Sequence, residues 1–278
     1  MANPLKPLDP RPAIKLLIER RALIWRFFVY NLTVRYHGTV LGMLWIFAQP
    51  LLLLCVYTIV FTYIFHGRRF GTNEQINQSL GGFALMIFCG MSVYNIFAEG
   101  VNNSANSIFT KPNFVKKIIF PLEVLPISKV LSSAAFCCAW LLLCGTLGMI
   151  IFHTVSWTML LIPVVLIPVI LLSMGTALFV SSTTVYVRDM IPMVKLLIQA
   201  MFYLTPVLYP GDIIPEKYRW ILKLHPMAAA VDNGRKLFML GEMPDWPQIG
   251  CLTVEAVLVF LFGFYWFGKL KRGFADVM

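Results

Sequence analysis

The sequence predicts an all-α membrane protein that crosses the bilayer six times. Of the 278 residues, 59% are hydrophobic and only 13% are charged, with a mean hydropathy of +0.76. This composition is typical of polytopic membrane proteins and not of soluble domains. Six apolar runs are each long enough, as helices, to cross a hydrocarbon core of about 30 Å. The Lys and Arg residues are distributed unevenly over the connecting segments, which gives the predicted helices an orientation.

The six predicted spans are almost free of charge. The first contains Pro50, which leaves a carbonyl that neighbouring helices can satisfy. The fourth is expected to end as a helix near Val180, before the Ser and Thr residues at 181–184. The fifth and sixth each carry one charge, Lys195 and Glu255. The spans are predicted at residues 42–65, 80–98, 130–152, 157–187, 190–209 and 249–268.

The basic residues predict that both termini lie in the cytoplasm. With that orientation, fourteen of the 23 Lys and Arg residues fall in inner segments and seven in outer segments, as the positive-inside rule requires. The chain then divides into an N-terminal tail with an interface helix (1–41), a transmembrane domain (42–268) and a cytoplasmic tail (269–278). The net charge of +10 does not indicate a nucleic-acid partner, because no nucleic-acid motif accompanies it.

The segment before the first span has the pattern of an amphipathic interface helix over residues 14–35. Apolar residues recur at helical spacing, and Arg20, Arg26 and Arg35 supply the polar side. Such a helix would lie in the headgroup plane against membrane lipids. The alternative is a basic flank that only fixes the orientation of the first span. The apolar positions are Ile14, Leu17, Ile18, Trp25, Phe28, Val29 and Leu32.

Two connecting segments are too long to be simple turns. The inner one, 101–127, combines a polar run at 102–107 with later lysines and prolines, which predicts a short cytoplasmic helix. The outer one, 210–248, has apolar residues at helical spacing, interrupted by Pro and Gly. It predicts short re-entrant helices that dip into the membrane from outside and are buried in protein. An ordinary surface loop is the alternative for the outer segment.

The sequence contains no motif for covalent chemistry or ATP hydrolysis. The only Gly-Lys pair, at 268–269, lacks the upstream glycine and the hydroxyl of a phosphate loop. No His, Cys, Asp or Glu set has the spacing of a metal site, and no Gly-x-Ser-x-Gly elbow is present. Ion-coupled transporters usually need several ionisable groups inside the membrane, whereas only Lys195 and Glu255 lie in the spans. Energy would therefore come from another subunit.

Several motifs resemble the membrane permease subunit of bacterial ABC exporters for polysaccharides, the class that exports O-antigen, capsule and teichoic acid. The resemblance covers about residues 20–270, in family order. His37 and His225 depart from the basic residue and the asparagine expected there. The matching stretches are VRYHGTVLGMLW (34–45), QPL (49–51), FPLEVLP (120–126), VRDM (187–190), YLTPVLY (203–209) and His225-Pro226.

The resemblance implies a homodimer of six-span subunits that encloses a channel and moves a lipid-linked glycan, O-antigen first among the alternatives. Two cytoplasmic ATPase subunits would bind ATP and magnesium, so that this chain binds no cofactor and is not an enzyme. The inner segment 101–121 would be the coupling helix on the ATPase, and the outer segment 210–240 the gate. The implied coupling residues are Lys111, Phe114, Lys116 and Lys117, and the gate residues are Tyr218, Ile221, His225 and Pro226.

Aromatic residues in the spans suggest a track for the glycan, because sugars present apolar faces that stack on rings. The candidates are Tyr57, Phe61, Phe202 and Tyr203, of which the first two share a helix face. Lipid-facing or packing positions are the alternative for each ring. Two other functions stay open. A permease for drugs or small lipids would need no broad aromatic track, and a membrane-embedded transferase would need an acid–base or nucleophile cluster that the sequence lacks.

Overall fold

The computed structural model describes residues 11–60, 82–116, 120–152, 157–209, 217 and 225–277. Regular structure in these residues is helical, without a β-strand. Short 3₁₀ turns precede α3 and α7, and a π-helical turn, Lys236–Leu240, follows α9. The α-helices are α1 (Arg11–Glu19), α2 (Arg21–Tyr36), α3 (Trp45–Ile59), α4 (Gly82–Ala105), α5 (Pro112–Lys116), α6 (Val124–Phe152), α7 (Ile162–Tyr186), α8 (Met190–Leu204), α9 (Pro226–Arg235), α10 (Trp246–Leu270) and α11 (Phe274–Val277).

Five helical segments among the described residues are long and apolar enough to span a membrane. They are Gly42–Ile59, Gly82–Ala105, Val124–Ile150, Trp157–Tyr186 and Trp246–Val277. The fifth predicted span, 190–209, is helical only as far as Leu204, which gives a helix about 22 Å long. Thr205 is already extended (φ −78°, ψ 133°), as expected for a residue that precedes a proline. The predicted count of six spans is therefore not confirmed, although the all-α membrane architecture is.

The helix in the fourth span does not end near Val180, and that expectation was wrong. α7 continues through residues 181–184 to Tyr186. The hydroxyls of these Ser and Thr residues donate to carbonyls three or four residues earlier, such as Thr184 to Val180 (2.8 Å) and Ser182 to Phe179 (3.0 Å). Because these hydrogen bonds stay within the helix, the hydroxyl groups have partners and the helix need not end at these residues.

α4 is the central helix of the bundle. In the most apolar stretch of α4, 83% of the residues are buried, whereas only 6% are buried in that of Gly42–Ile59. α4 packs against α6 and α7, and α7 runs along α10. The α7–α10 crossing brings the backbones together at Gly175, where an added Cβ would lie 2.6 Å from the backbone of Phe260. Small residues at such a crossing allow the close contact that stabilises helix pairs in a membrane.

The predicted single interface helix over 14–35 consists of two helices, so that part of the prediction was wrong. Arg20 leaves helical geometry (φ −101°, ψ 12°) between α1 and α2. The bend lets Ala13 and Ile24 both enter the same apolar cluster of the bundle. α2 is then tied to α6 by a hydrogen bond from Asn31 Nδ2 to Ser128 Oγ (3.2 Å).

The two ends of α4 provide a reference for the rest of the molecule. We call the end at Ala105, which leads into residues 106–116, the inner end, and the end at Gly82 the outer end, following the predicted orientation. α2, α5 and α11 lie at the inner end, because their apolar residues share one cluster with Ile108 and Leu125. α9 packs at the outer end, against α4.

Candidate functional site

Three phenylalanine rings join the interface helix α2 to the predicted coupling segment. Phe27 of α2 contacts Phe114 of α5 with ring centroids 6.0 Å apart, and Phe120 at 5.5 Å. Phe114 and Phe120 contact each other at 4.9 Å. Aromatic contacts of this kind add to the burial of the rings. The predicted coupling segment is thus packed against α2.

The ammonium group of Lys111 lies over this aromatic cluster. Its Nζ is 5.2 Å from the ring centroid of Phe27, 5.4 Å from that of Tyr30 and 5.8 Å from that of Phe114. Ring faces attract a cation electrostatically, but they accept no conventional hydrogen bond. Partial burial lowers the pKa of Lys111. Within the described residues, no carboxylate or other acceptor contacts this ammonium group.

Two adjoining cavities open around Lys111. The larger, of 530 Å³, lies between α2 and residues 110–114. The smaller, of 90 Å³, lies deeper, between α2 and the start of α6. Phe27, Thr110 and Lys111 line both, so the cavities adjoin at these three residues. The other lining residues are Arg26, Tyr30, Pro112, Asn113 and Phe114 for the larger cavity, and Asn31, Asn106, Ser107, Leu125, Ser128 and Lys129 for the smaller.

One residue that lines the smaller cavity, Ser107, has a hydroxyl group with no partner among the described residues. Ser107 is 4% exposed, and its Oγ makes no hydrogen bond. Thr110 Oγ1, by contrast, donates to the carbonyl of Asn106 (2.9 Å). A buried polar atom without a partner costs free energy, so such atoms mark places that a ligand or water completes.

Two ion pairs hold the inner end together. Lys271, just after α10, reaches Glu123 at the start of α6 (2.9 Å). Arg35 reaches Glu99 of α4 at 2.7 Å and also lies 4.4 Å from the ring centroid of Phe136. Burial alone would lower the pKa of Arg35, but the hydrogen bond and charge of Glu99 outweigh it, and the pKa is raised. Arg35 therefore attaches α2 to α4 and is not simply part of a polar helix face.

The predicted inner residues occupy different positions. The structure brings Lys111 and Phe114 together on α2, as described above. Arg20 and Arg26 are exposed, and Arg26 lines the larger cavity. Lys116 is the last residue of α5, and Lys117 lies outside the described residues.

Arg235, at the end of α9, is the most fully embedded cation among the described residues, and its place in the sequence did not predict this. The residue is 3% exposed. Its Nε donates to the carbonyl of Met86 on α4 (3.1 Å), Nη1 to that of Pro206 (2.7 Å), and Nη2 to that of Val207. The guanidinium thus joins α9, α4 and the turn after α8. Two sequence signals were available. A glycine, Gly234, precedes Arg235, and Pro206 ends the helix before it, so that nearby carbonyls have no helical donor.

The described part of the outer segment is folded into the bundle. His225 caps α9, because its Nδ1 accepts a hydrogen bond from the amide of Ala228 (3.2 Å), and Pro226 is the first helical residue. Asn233 Oδ1 accepts from the amide of Asp245 (2.7 Å), which connects α9 to the start of α10. Tyr218 and Ile221 lie outside the described residues.

Three of the four predicted track rings lie in the described residues. The Tyr57 hydroxyl donates to Met91 Sδ (3.1 Å), and the Phe202 ring contacts Tyr94 (5.4 Å). Met91 and Tyr94 are three residues apart and so share a face of α4. Tyr203 contacts Phe202 (5.6 Å) and is 62% exposed, whereas Phe61 lies outside the described residues.

Known proteins resemble this chain over most of its length. The family of ABC-2 type transporters matches residues 21–239. Two O-antigen export system permease proteins RfbA of Klebsiella pneumoniae are 30% and 29% identical over 255 residues, which is 89% of this chain and 92% of each relative. RfbA of Myxococcus xanthus is 26% identical over 265 residues, or 95% of this chain and 98% of the relative. The resemblance to permease subunits of polysaccharide exporters is thereby confirmed.

Proposed function

Because the chain belongs to the ABC-2 type transporter family, we propose that it is the channel-forming permease subunit of an ATP-driven exporter for a lipid-linked polysaccharide. The observation that carries this proposal is the similarity to O-antigen export permeases along nearly the whole chain. O-antigen is the first candidate substrate, with capsule or teichoic acid next. The exporter would work in the bacterial cytoplasmic membrane.

The energy would come from a separate ATPase subunit, present in two copies, that binds ATP and magnesium. Residues 101–121 would dock on it, with Phe114, Lys111, Lys116 and Lys117 at the contact. The packing of Phe114 and Lys111 on α2 supports this role, because a push on the segment would reach the bundle through Phe27. The hydrogen bonds from Arg35 to Glu99 of α4 and from Asn31 to Ser128 of α6 would then transmit this push to the bundle.

The channel would lie in a homodimer of subunits with both termini in the cytoplasm. α8 would complete a sixth crossing together with the turn at 205–209, although α8 alone is short for a core of about 30 Å. Exposed apolar residues on α3 and α8 support burial against a partner or lipid. They include Phe47, Leu52, Val56, Leu196 and Leu197.

The glycan would pass rings that the bundle leaves accessible. Tyr203 supports this idea, because the ring is largely exposed while its neighbour Phe202 is held against Tyr94. At the far end, residues 210–240 would close the channel, with α9 and its His225 cap as the fixed part of the gate.

The test is reconstitution of the permease with its proposed ATPase partner, in proteoliposomes that contain a lipid-linked glycan. We expect ATP-dependent movement of the glycan to the opposite leaflet, detected by a glycosidase or lectin that cannot cross the membrane. An ATPase variant that binds but does not hydrolyse ATP is the control. Transport of short lipids or drugs in place of the glycan would instead favour the small-lipid permease, and release of a modified glycan without ATP would favour a transferase.

A further inference from the structure

The two adjoining cavities around Lys111 have the charge of an anion site. Arg26 and Lys111 line the larger cavity, and Lys111 and Lys129 line the smaller. Arg35 is also close enough to act electrostatically on Lys129. Among the described residues no Asp or Glu lines either cavity. Because like charges repel, this grouping is costly until an anion enters it.

The ligand groups at the junction of the cavities are incomplete. Among the described residues, the contacts of the Lys111 ammonium group are with ring faces and none is a hydrogen bond, although a Lys ammonium can donate three. The hydroxyl of Ser107, a residue that lines the adjoining smaller cavity, is buried and is also without a partner among the described residues. A volume of 90 Å³ is several times what one water needs, and it therefore admits a group the size of phosphate.

The wall of the larger cavity is apolar. Phe27, Tyr30, Pro112 and Phe114 line it, and Tyr30 is 52% exposed. A free inorganic anion would gain nothing from these side chains. A phosphate attached to a hydrocarbon chain would gain from both parts of the site, because the chain covers the rings while the phosphate meets the cations.

We propose that the junction of the two cavities binds the phosphate headgroup of an anionic membrane lipid. Lys111 and Arg26 neutralise the phosphate, and the lipid tail lies along Phe27 and Tyr30. Ser107 donates a hydrogen bond from the deeper side once its side chain has turned toward the cavity. The inference rests on the proposed function only for placing this face at the membrane surface. Lipid bound here would fill the space between the interface helix and the coupling segment.

The experiment uses the purified full chain, without an ATPase, in detergent free of phosphate. Three probes are compared by isothermal titration: dioctanoyl phosphatidic acid, dioctanoylglycerol, which has the same tails without phosphate, and inorganic phosphate. We expect phosphatidic acid to bind at least about tenfold more tightly than either partial probe. Equal binding of dioctanoylglycerol would overturn recognition of the phosphate. Equal binding of inorganic phosphate would overturn the lipid as its source.

Variants locate the site. Lys111→Gln should weaken binding of phosphatidic acid by about tenfold, because a charge-assisted hydrogen bond is lost. Lys111→Arg should keep the affinity within about threefold, since arginine also binds phosphate. Arg21→Gln is the matched control, because Arg21 is an exposed cation of α2 that lines neither cavity, and its affinity should equal that of the wild type.

If Lys111→Gln does not fold, a second variant, Ser107→Ala, still tests the site. It removes an unpartnered hydroxyl, so the fold should tolerate it, and phosphatidic acid should bind several-fold more weakly. Unchanged affinity in both Lys111→Gln and Ser107→Ala would place the lipid elsewhere. Because no ATPase is present, absence of lipid binding in this experiment would not bear on export. Absence of glycan transport in the reconstitution would likewise leave the measured lipid binding unchanged.

Discussion

Arg235 and Lys111 are both cations withdrawn from solvent, but they lie at opposite ends of α4 and their surroundings differ. Arg235 contacts Met86 in the first turns of that helix, whereas Lys111 follows its last residue, Ala105. Ala105 lies nineteen residues after Met86, which corresponds to about 28 Å of helix. Three backbone carbonyls bind the Arg235 guanidinium, while the contacts of the Lys111 ammonium with described residues are to ring faces.

The difference shows how a buried charge can serve structure in one place and binding in another. Three backbone carbonyls, one from α4 and two from the turn after α8, complete much of the hydrogen-bonding capacity of Arg235, so this cation holds the outer end in one arrangement. The surroundings of Lys111 leave its donors available, and its cavities have room for another molecule. We therefore expect substitutions of Arg235 to change stability, and substitutions of Lys111 to change binding.

Arg235→Ala should have the largest effect on stability. The substitution leaves three buried carbonyls without their donor and opens a cavity, so we expect a loss of about 3 kcal/mol or more in the free energy of unfolding. Arg235→Lys should recover only part of it, because one ammonium group cannot reproduce the planar fork. Thermal unfolding in detergent measures both, with exposed Arg20→Ala as the control. A variant as stable as the wild type would mean that Arg235 does not hold the outer end.

Gly90→Ala should have the next largest effect and sharpens the same point. An added Cβ would lie 2.7 Å from Nη2 of Arg235, which its three carbonyl partners prevent from moving away. We expect a loss of about 1–3 kcal/mol. Gly100→Ala, on the same helix, is the matched control, because its Cβ would meet Val130 at an ordinary 3.5 Å. If the two variants unfold at the same temperature, the guanidinium is free to shift.

At the inner end, substitution of Lys271 should lower stability more than substitution of Lys111. Lys271→Gln leaves Glu123, whose side chain is 9% exposed, without its ion-pair partner and should cost about 1–2 kcal/mol. Lys111→Gln removes a cation that no described carboxylate pairs with, and should leave stability within about 0.5 kcal/mol of the wild type. The same thermal unfolding experiment compares them. A larger loss for Lys111→Gln would show that its ammonium group is structural.

The sequence predicted the membrane architecture better than it predicted these cations. Length and hydropathy identify the spans because they are local properties, and they found α4, α6, α7 and α10. The extension of α7 to Tyr186 was missed because Ser and Thr favour breaks in general, while here their hydroxyls bond within the helix.

The role of Arg235 could not be predicted for a different reason. Its partners are backbone carbonyls, one of them 149 residues earlier in the chain, and a carbonyl carries no residue-specific signal. In the sequence it counted only as one of the outer basic residues. Lys111 and Phe114 were expected in one segment because they are three residues apart, and their role in coupling stays a prediction. The contacts of Lys111 with Phe27 and Tyr30 of α2 depend on tertiary packing, which the sequence does not show.

The smallest expected effect is the pH dependence that Lys111 adds to stability. Burial lowers its pKa in the folded chain relative to its usual value of 10.5, so the unfolded chain binds more protons between the two pKa values. Stability should therefore rise with pH in that window and be flat in this respect below it. The difference in unfolding free energy between wild type and Lys111→Gln, followed from pH 7 to pH 10.5, measures it. A difference that moves in the opposite direction would contradict the burial.

Chemical labelling of the native full chain tests the contrast between the two cations most directly. In one sample, an amine acylating reagent and an arginine-specific dicarbonyl are applied, and modified residues are identified by mass spectrometry. We predict that Lys111 reacts in the folded protein and is protected by dioctanoyl phosphatidic acid, whereas Arg235 reacts only after unfolding. Exposed Lys15 and Arg20 serve as internal references. Modification of Arg235 at the rate of Arg20, or a native Lys111 that does not react, would contradict the account.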